Sequence, residues 1–110
     1  MAKKSNKSLG IAKRYIKQLG SKLNVREAIL FGSCARGDAH RDSDLDIIVV
    51  SEDFRKMKFI QRLVLLSKAR ERKFMSPAMD LWGYTPEEFV KLKRDSIVVQ
   101  EAAEHGVALV

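Results

Sequence analysis

The 110-residue chain has one cysteine, Cys34, two prolines and one tryptophan. A lone thiol cannot close an internal disulfide, so nothing calls for an oxidising compartment and a cytoplasmic setting is expected. No apolar run approaches the roughly 20 residues that a membrane-spanning helix needs, and the polar start MAKKSNKSLG lacks the apolar core of a signal peptide. No membrane partner is expected. Aromatic residues make up 7% of the chain, too few to interleave with the basic clusters as base-stacking platforms do. Nucleic-acid binding is therefore possible on charge alone but not favoured.

What the chain has in excess is positive charge: 21 Lys and Arg against 14 Asp and Glu, a net +7. One cluster comprises Lys3, Lys4, Lys7, Lys13, Arg14, Lys17 and Lys22, another Lys68, Arg70, Arg72 and Lys73. Such a surface would suit phosphate-bearing ligands, although solvated helix faces and a frayed tail are the preferred account of it. The length fits a single domain over residues 1–110, with residues 1–8 expected as a flexible basic tail.

Ile11, Ala12, Tyr15, Ile16 and Leu19 recur at helical spacing before Gly20, predicting a packed helix from about Leu9 to Leu19. Glu27–Phe31 and Leu45–Val50 are short, apolar and rich in β-branched residues, so they read as strands covered on both faces. Between Phe54 and about Lys73 the residues Phe59, Ile60, Leu63, Val64 and Leu66 form an apolar stripe, predicting one long amphipathic helix. Ala78–Tyr84 is a third candidate strand, and Thr85-Pro86-Glu87-Glu88 combines an N-cap, a first-turn proline and a Glu at N3. A last helix is predicted from Asp95 to about His105, stopped by Gly106, with 107–110 left as a tail or edge strand. The order is that of an α/β (α+β) fold, a mixed sheet of three or four strands flanked by helices.

Chemistry concentrates in FGSCARGDAHRDSDLDIIVV, Phe31 to Val50. In a strand Asp44 and Asp46 project to one face, with Cα atoms about 6.5 to 7 Å apart. Parallel carboxylates repel unless a cation lies between them, and hard oxygen donors suit Mg²⁺ or Mn²⁺. Asp80 is the other carboxylate inside a candidate strand; if its strand neighbours that of Asp46, three carboxylates converge. Gly32 lets a phosphate approach the backbone, Ser33 offers a hydroxyl and an N–H, and a short helix starting near Cys34 would point its dipole at an anion. Arg36 adds a guanidinium suited to bidentate phosphate contact. A cation trap beside an anion cradle is equipment for phosphoryl or nucleotidyl transfer.

Other readings fit less well. Gly32 and Gly37 have P-loop spacing, but Asp38 and Ala39 stand where that loop needs Lys and a hydroxyl. Asp42, Asp44, Asp46 and Asp53 match four positions of a calcium loop, but its turn glycine is here Ile47. A plain turn explains Asp42 and Ser43 but leaves Asp46 and Asp80 unexplained. Cys34, with no histidine at a suggestive spacing, reads as a small helix-start residue. Trp82 should share the face of Asp80, lining a nucleotide pocket or, the reading preferred, covering the sheet edge. Phe89, Val98 and Val99 are either core or a contact surface, core being the more expected.

Gly32-Ser33, ten residues, then Asp44-Leu45-Asp46, with Ala35-Arg36-Gly37, Ser43 and a later Asp80, resembles the nucleotidyltransferases of the DNA polymerase β superfamily. From about Arg26 onward the chain is similar to their minimal members. The resemblance implies that Asp44 and Asp46 bind two Mg²⁺ ions, or Mn²⁺ in their place, and that Asp80 completes one metal site and helps deprotonate an attacking hydroxyl. It further implies that Gly32, Ser33, Arg36 and Ser43 bind the nucleotide, with ATP as substrate and pyrophosphate as leaving group. Small members of this group pair with a HEPN-type toxin as its antitoxin, and some add AMP to a toxin tyrosine; the resemblance implies such a partner and such a transfer here. The alternatives are an antitoxin that binds and occludes its partner without catalysis, and a basic nucleic-acid-binding module.

Overall fold

A computed structural model of the chain describes residues 5–32, 45–70 and 79–110, with side chains from residue 8 onward. In order these form α1 (Ser5–Leu19), β1 (Glu27–Phe31), β2 (Leu45–Val50), a 3₁₀ turn (Glu52–Lys56), α2 (Phe59–Lys68), β3 (Met79–Tyr84), α3 (Pro86–Asp95), α4 (Ile97–His105) and β4 (Val107–Ala108). The strands make one mixed sheet in the order β3-β2-β1-β4. β1 runs antiparallel to both β2 and β4, and β2 runs parallel to β3. A parallel pair needs a crossover, and the 3₁₀ turn and α2 lie within it. No described helix is long and apolar enough to cross a membrane.

Each face of the sheet has its own core. Ala28, Leu30, Leu45, Ile47 and Val49 pack against α1 through Ala12, Tyr15, Ile16 and Leu19, and against Phe54 and Leu66. Ile29, Ile48 and Val50 pack on the opposite face against Phe89 of α3 and Val99 and Ala102 of α4. β2 is thereby covered on both sides, as its continuous apolarity implied. Of its six residues only Asp46 is not buried. That single break marks where the helical cover stops.

Local signals explain most element boundaries. Thr85 Oγ1 accepts the Glu88 N–H at 3.1 Å while Glu88 Oε1 accepts the Thr85 N–H at 2.9 Å, so the capping box expected before α3 is formed. Ser96 caps α4, whose helical residues begin two positions after the expected Asp95. α1 starts at Ser5, four residues earlier than its apolar stripe indicated, so residues 5–8 are helix rather than tail.

The largest departure concerns the predicted long helix. Its first part is a separate 3₁₀ turn capped by Ser51, which carries the fully buried Phe54, and extended backbone at Met57 and Lys58 precedes α2. α2 then turns Arg62 and Leu66 toward the sheet and leaves Phe59, Ile60, Leu63 and Val64 exposed. Gly83 explains that choice. A Cβ there would lie 2.9 Å from two atoms of the Phe54 ring and 3.2 Å from Leu66, so the bare glycine backbone lets this layer pack closely on β3.

Candidate active site

β1 ends at Phe31, the register partner of Asp46. The chain then turns at Gly32 with φ of +79°, a left-handed conformation that residues with a side chain adopt only under strain. A Cβ at Gly32 would lie 2.3 Å from Asp46 Oδ2. Glycine is thus required twice, for its dihedral and for its emptiness. In the fold the Asp46 carboxylate lies against the space that a Cβ would take.

The condition set on the third strand is met. β2 and β3 are neighbours, and Asp46 stands directly opposite Asp80 in their parallel register. With strands about 4.8 Å apart, residues in register share a face, so the two carboxylates project side by side. Asp46 is half-buried under the Gly32 turn and Asp80 is open to solvent. Two like charges at about 5 Å repel by roughly 1 kcal/mol in water and by several times that where water is thinned. The donor set is all oxygen, anionic and accessible, which fits a hard divalent cation. Of the other residues singled out, Asp44, Ser33, Arg36, Ser43, Asp42 and Cys34 lie outside the described residues.

Behind the carboxylates is an aromatic floor. Trp82 shares the face of Asp80 and meets Phe31 with ring centroids 5.5 Å apart and planes tilted by 48°. The two rings reach across β2 between the carboxylate end and the core formed by Ile48, Val50 and Phe89. Phe31 was read from sequence only as the end of a strand, since nothing local tells which ring it will meet. Phe89 and Val99 prove to be core, whereas Val98 is exposed on α4. A cavity of about 480 Å³ lies elsewhere, beside α2 between Met57, Ile60, Val64, Leu65, Lys22 and Lys68.

A small mixed sheet with in-register carboxylates at the mouth of β2 and β3, and a glycine turn closing over one of them, has the architecture of nucleotidyltransferase folds. The chain belongs to the nucleotidyltransferase domain family, whose sequence profile matches residues 12–105. The protein adenylyltransferase MntA of Thermococcus cleftensis is 46% identical over 46 residues, 41% of this chain and 46% of that protein. The matched stretch therefore spans about half of that relative's length. A candidate nucleotidyltransferase from Sulfolobus solfataricus superposes with a TM-score of 0.65 at 24% identity, covering 94% of this chain and 80% of the other. A toxin-antitoxin structure with AMP-PNP superposes with a TM-score of 0.62 at 27% identity, covering 89% and 72%.

Proposed function

We propose that the protein transfers AMP from ATP to a hydroxyl of a protein partner in the cytoplasm, as the antitoxin of a toxin-antitoxin pair whose toxin is of the HEPN type. The observation that carries this reading is the register of Asp46 on Asp80, which sets two carboxylates side by side at a solvent-open mouth. The similarity to an adenylyltransferase and to a toxin-antitoxin structure supports it.

In this reading Asp44, Asp46 and Asp80 hold Mg²⁺, which when bound supplies Lewis-acid polarisation of the phosphate oxygens and offsets charge. Asp80, the more exposed carboxylate, takes the proton of the acceptor hydroxyl. The freed oxygen forms a bond to the α-phosphorus as the bond from that phosphorus to the bridging oxygen breaks, and pyrophosphate leaves with the electron pair. Gly32, Ser33, Arg36 and Ser43 would hold the triphosphate, as the resemblance to nucleotidyltransferases implies. The reading is tested by incubating the protein and the product of its neighbouring gene with Mg²⁺ and ATP labelled at the α or the γ phosphate. Label is expected on the partner from α-labelled ATP only, and not with EDTA. Label from the γ position, or none at all, would overturn it. Occlusion without catalysis predicts instead that an Asp46→Asn variant protects the cell as well as the wild type.

Gly32→Ala is a sharper probe of the mouth. Left-handed backbone costs an alanine about 1 to 2 kcal/mol, and its Cβ must push the Asp46 carboxylate aside. A displacement of about 1 Å at a reacting centre costs roughly 100-fold in rate. AMP transfer is therefore expected to fall about 100-fold while the melting transition drops only modestly, measured by pyrophosphate release and by thermal denaturation. Undiminished release would show that the Asp46 position does not matter.

A further inference from the structure

α2 presents its apolar stripe to solvent: Phe59 is 62% exposed, Ile60 64%, Leu63 44% and Val64 46%. A helix that buries an arginine and shows four large apolar side chains has a second surface to cover. The stripe is continuous with the candidate site. At the open edge of β3 a pocket of about 230 Å³ is lined by Phe59 and Leu63 from α2 and by Leu81, Trp82 and Tyr84 from the strand. Phe59 meets Tyr84 edge-on at 6.3 Å, and Trp82, 37% exposed, is two residues from Asp80 on the same face. Among the described residues the β1 side of Asp46 carries the Gly32 turn, and the β3 side carries the exposed Asp80 and Trp82.

We propose that this face, from the Trp82 pocket along the exposed side of α2, docks the acceptor protein through an apolar segment flanked by acidic residues, with the hydroxyl-bearing side chain against Trp82. The charge selects that occupant. α2 contains no Asp or Glu, its N-cap is the exposed Lys58, and exposed Lys22 and Lys68 line the neighbouring 480 Å³ groove. A second copy of a chain with net +7 would set these lysines against their own kind, which disfavours self-association. Only the role of the hydroxyl rests on the transferase reading; the docking does not.

Trp82 is the sole tryptophan, so its emission, excited at a wavelength that spares tyrosine, reports on this pocket alone. The probe is the synthetic copolymer poly(Glu,Tyr), with poly(Glu), poly(Lys,Tyr) and a single-stranded oligonucleotide as controls, all without ATP or Mg²⁺. A saturable change in emission is expected with poly(Glu,Tyr) only. Its apparent Kd is expected to rise at least tenfold in Leu63→Asp and in Ile60→Asp, and to stay unchanged in Val90→Asp on α3. Circular dichroism checks that each variant is folded. No change in emission, an equal change with poly(Glu), a response to the oligonucleotide, or equal affinity in both α2 variants would each overturn the proposal. Binding intact in the wild type with no transfer by it would sink the transferase reading alone, whereas transfer with an undiminished KM for the partner in both α2 variants would sink the docking face alone.

Discussion

Asp46→Asn and Asp80→Asn, made singly, are each expected to lower AMP transfer about a thousandfold, and the double variant no further. The two carboxylates stand side by side in the register of β2 and β3, and in the proposed reading they act on one charge. Metal-assisted stabilisation of a phosphoryl transition state is worth several kcal/mol, and about 4 kcal/mol is three decades in rate. Residues that work as a unit lose that contribution once, which is why the double variant should match the singles. Single-turnover transfer at saturating ATP measures the loss. Additive losses would show that the two act independently.

Stability should move the other way. In EDTA the wild type holds two like charges in register, so neutralising the exposed Asp80 is expected to leave the melting temperature equal or higher. Adding Mg²⁺ at about 100 times its Kd should stabilise the wild type by about 2.7 kcal/mol and the Asn variants far less. Melting curves with chelator and with Mg²⁺ separate a ligand role from a structural one. An Asp80→Asn variant that melts lower in EDTA would make that carboxylate part of the scaffold.

How much of this was legible in the sequence differs from residue to residue. Asp46 announced itself because a carboxylate inside LDIIVV contradicts the burial of every neighbour, and the capping box at Thr85 is readable because its partners are three residues apart. The meeting of Asp46 and Asp80 was legible only as a condition, since strand adjacency and register are fixed by a crossover of residues 51–78 and not by either strand. The same limit hid the Gly32 and Asp46 contact, fourteen positions apart in the chain. α2 misled most. Its apolar stripe reads as a buried face, but the bare backbone at Gly83 and the carbonyls around it draw Arg62 and Leu66 inward instead. Periodicity reports that a helix has two faces and says nothing about which of several surfaces each will meet. An apolar face left outward for a partner is the case in which pattern and burial disagree.

Arg62→Ala should therefore be the most destabilising single substitution described here, costing about 3 kcal/mol, although composition marks Arg62 as one more surface cation. Arg62 is 5% exposed, and its guanidinium donates to the carbonyls of Phe54 at 2.9 Å, Met57 at 3.0 Å and Gly83 at 3.1 Å, and to Glu88 Oε1 at 2.6 Å. One side chain thus ties the 3₁₀ turn, the start of α2, the end of β3 and the first turn of α3. Its plane also lies 4.6 Å from the Phe59 ring centroid. Breaking a buried pair from one side costs about 3 to 5 kcal/mol, and because the Glu88 side chain is 38% exposed the lower end applies. Arg62→Lys should recover only part, since one ammonium cannot reproduce a fork aimed at four oxygens. Burial alone would raise the Glu88 carboxyl, but the bonds from Arg62 and from the Thr85 N–H outweigh it and hold the group below the usual carboxylate range. A depressed folded value means that the stabilisation is complete above the unfolded value of about 4.3 and is lost as the pH falls through the folded one. In urea unfolding, the gap between wild type and Arg62→Ala should be constant from about pH 6 to 8 and narrow below about pH 4. A gap that does not change with acid would assign the loss to the three carbonyls and the ring contact rather than to Glu88.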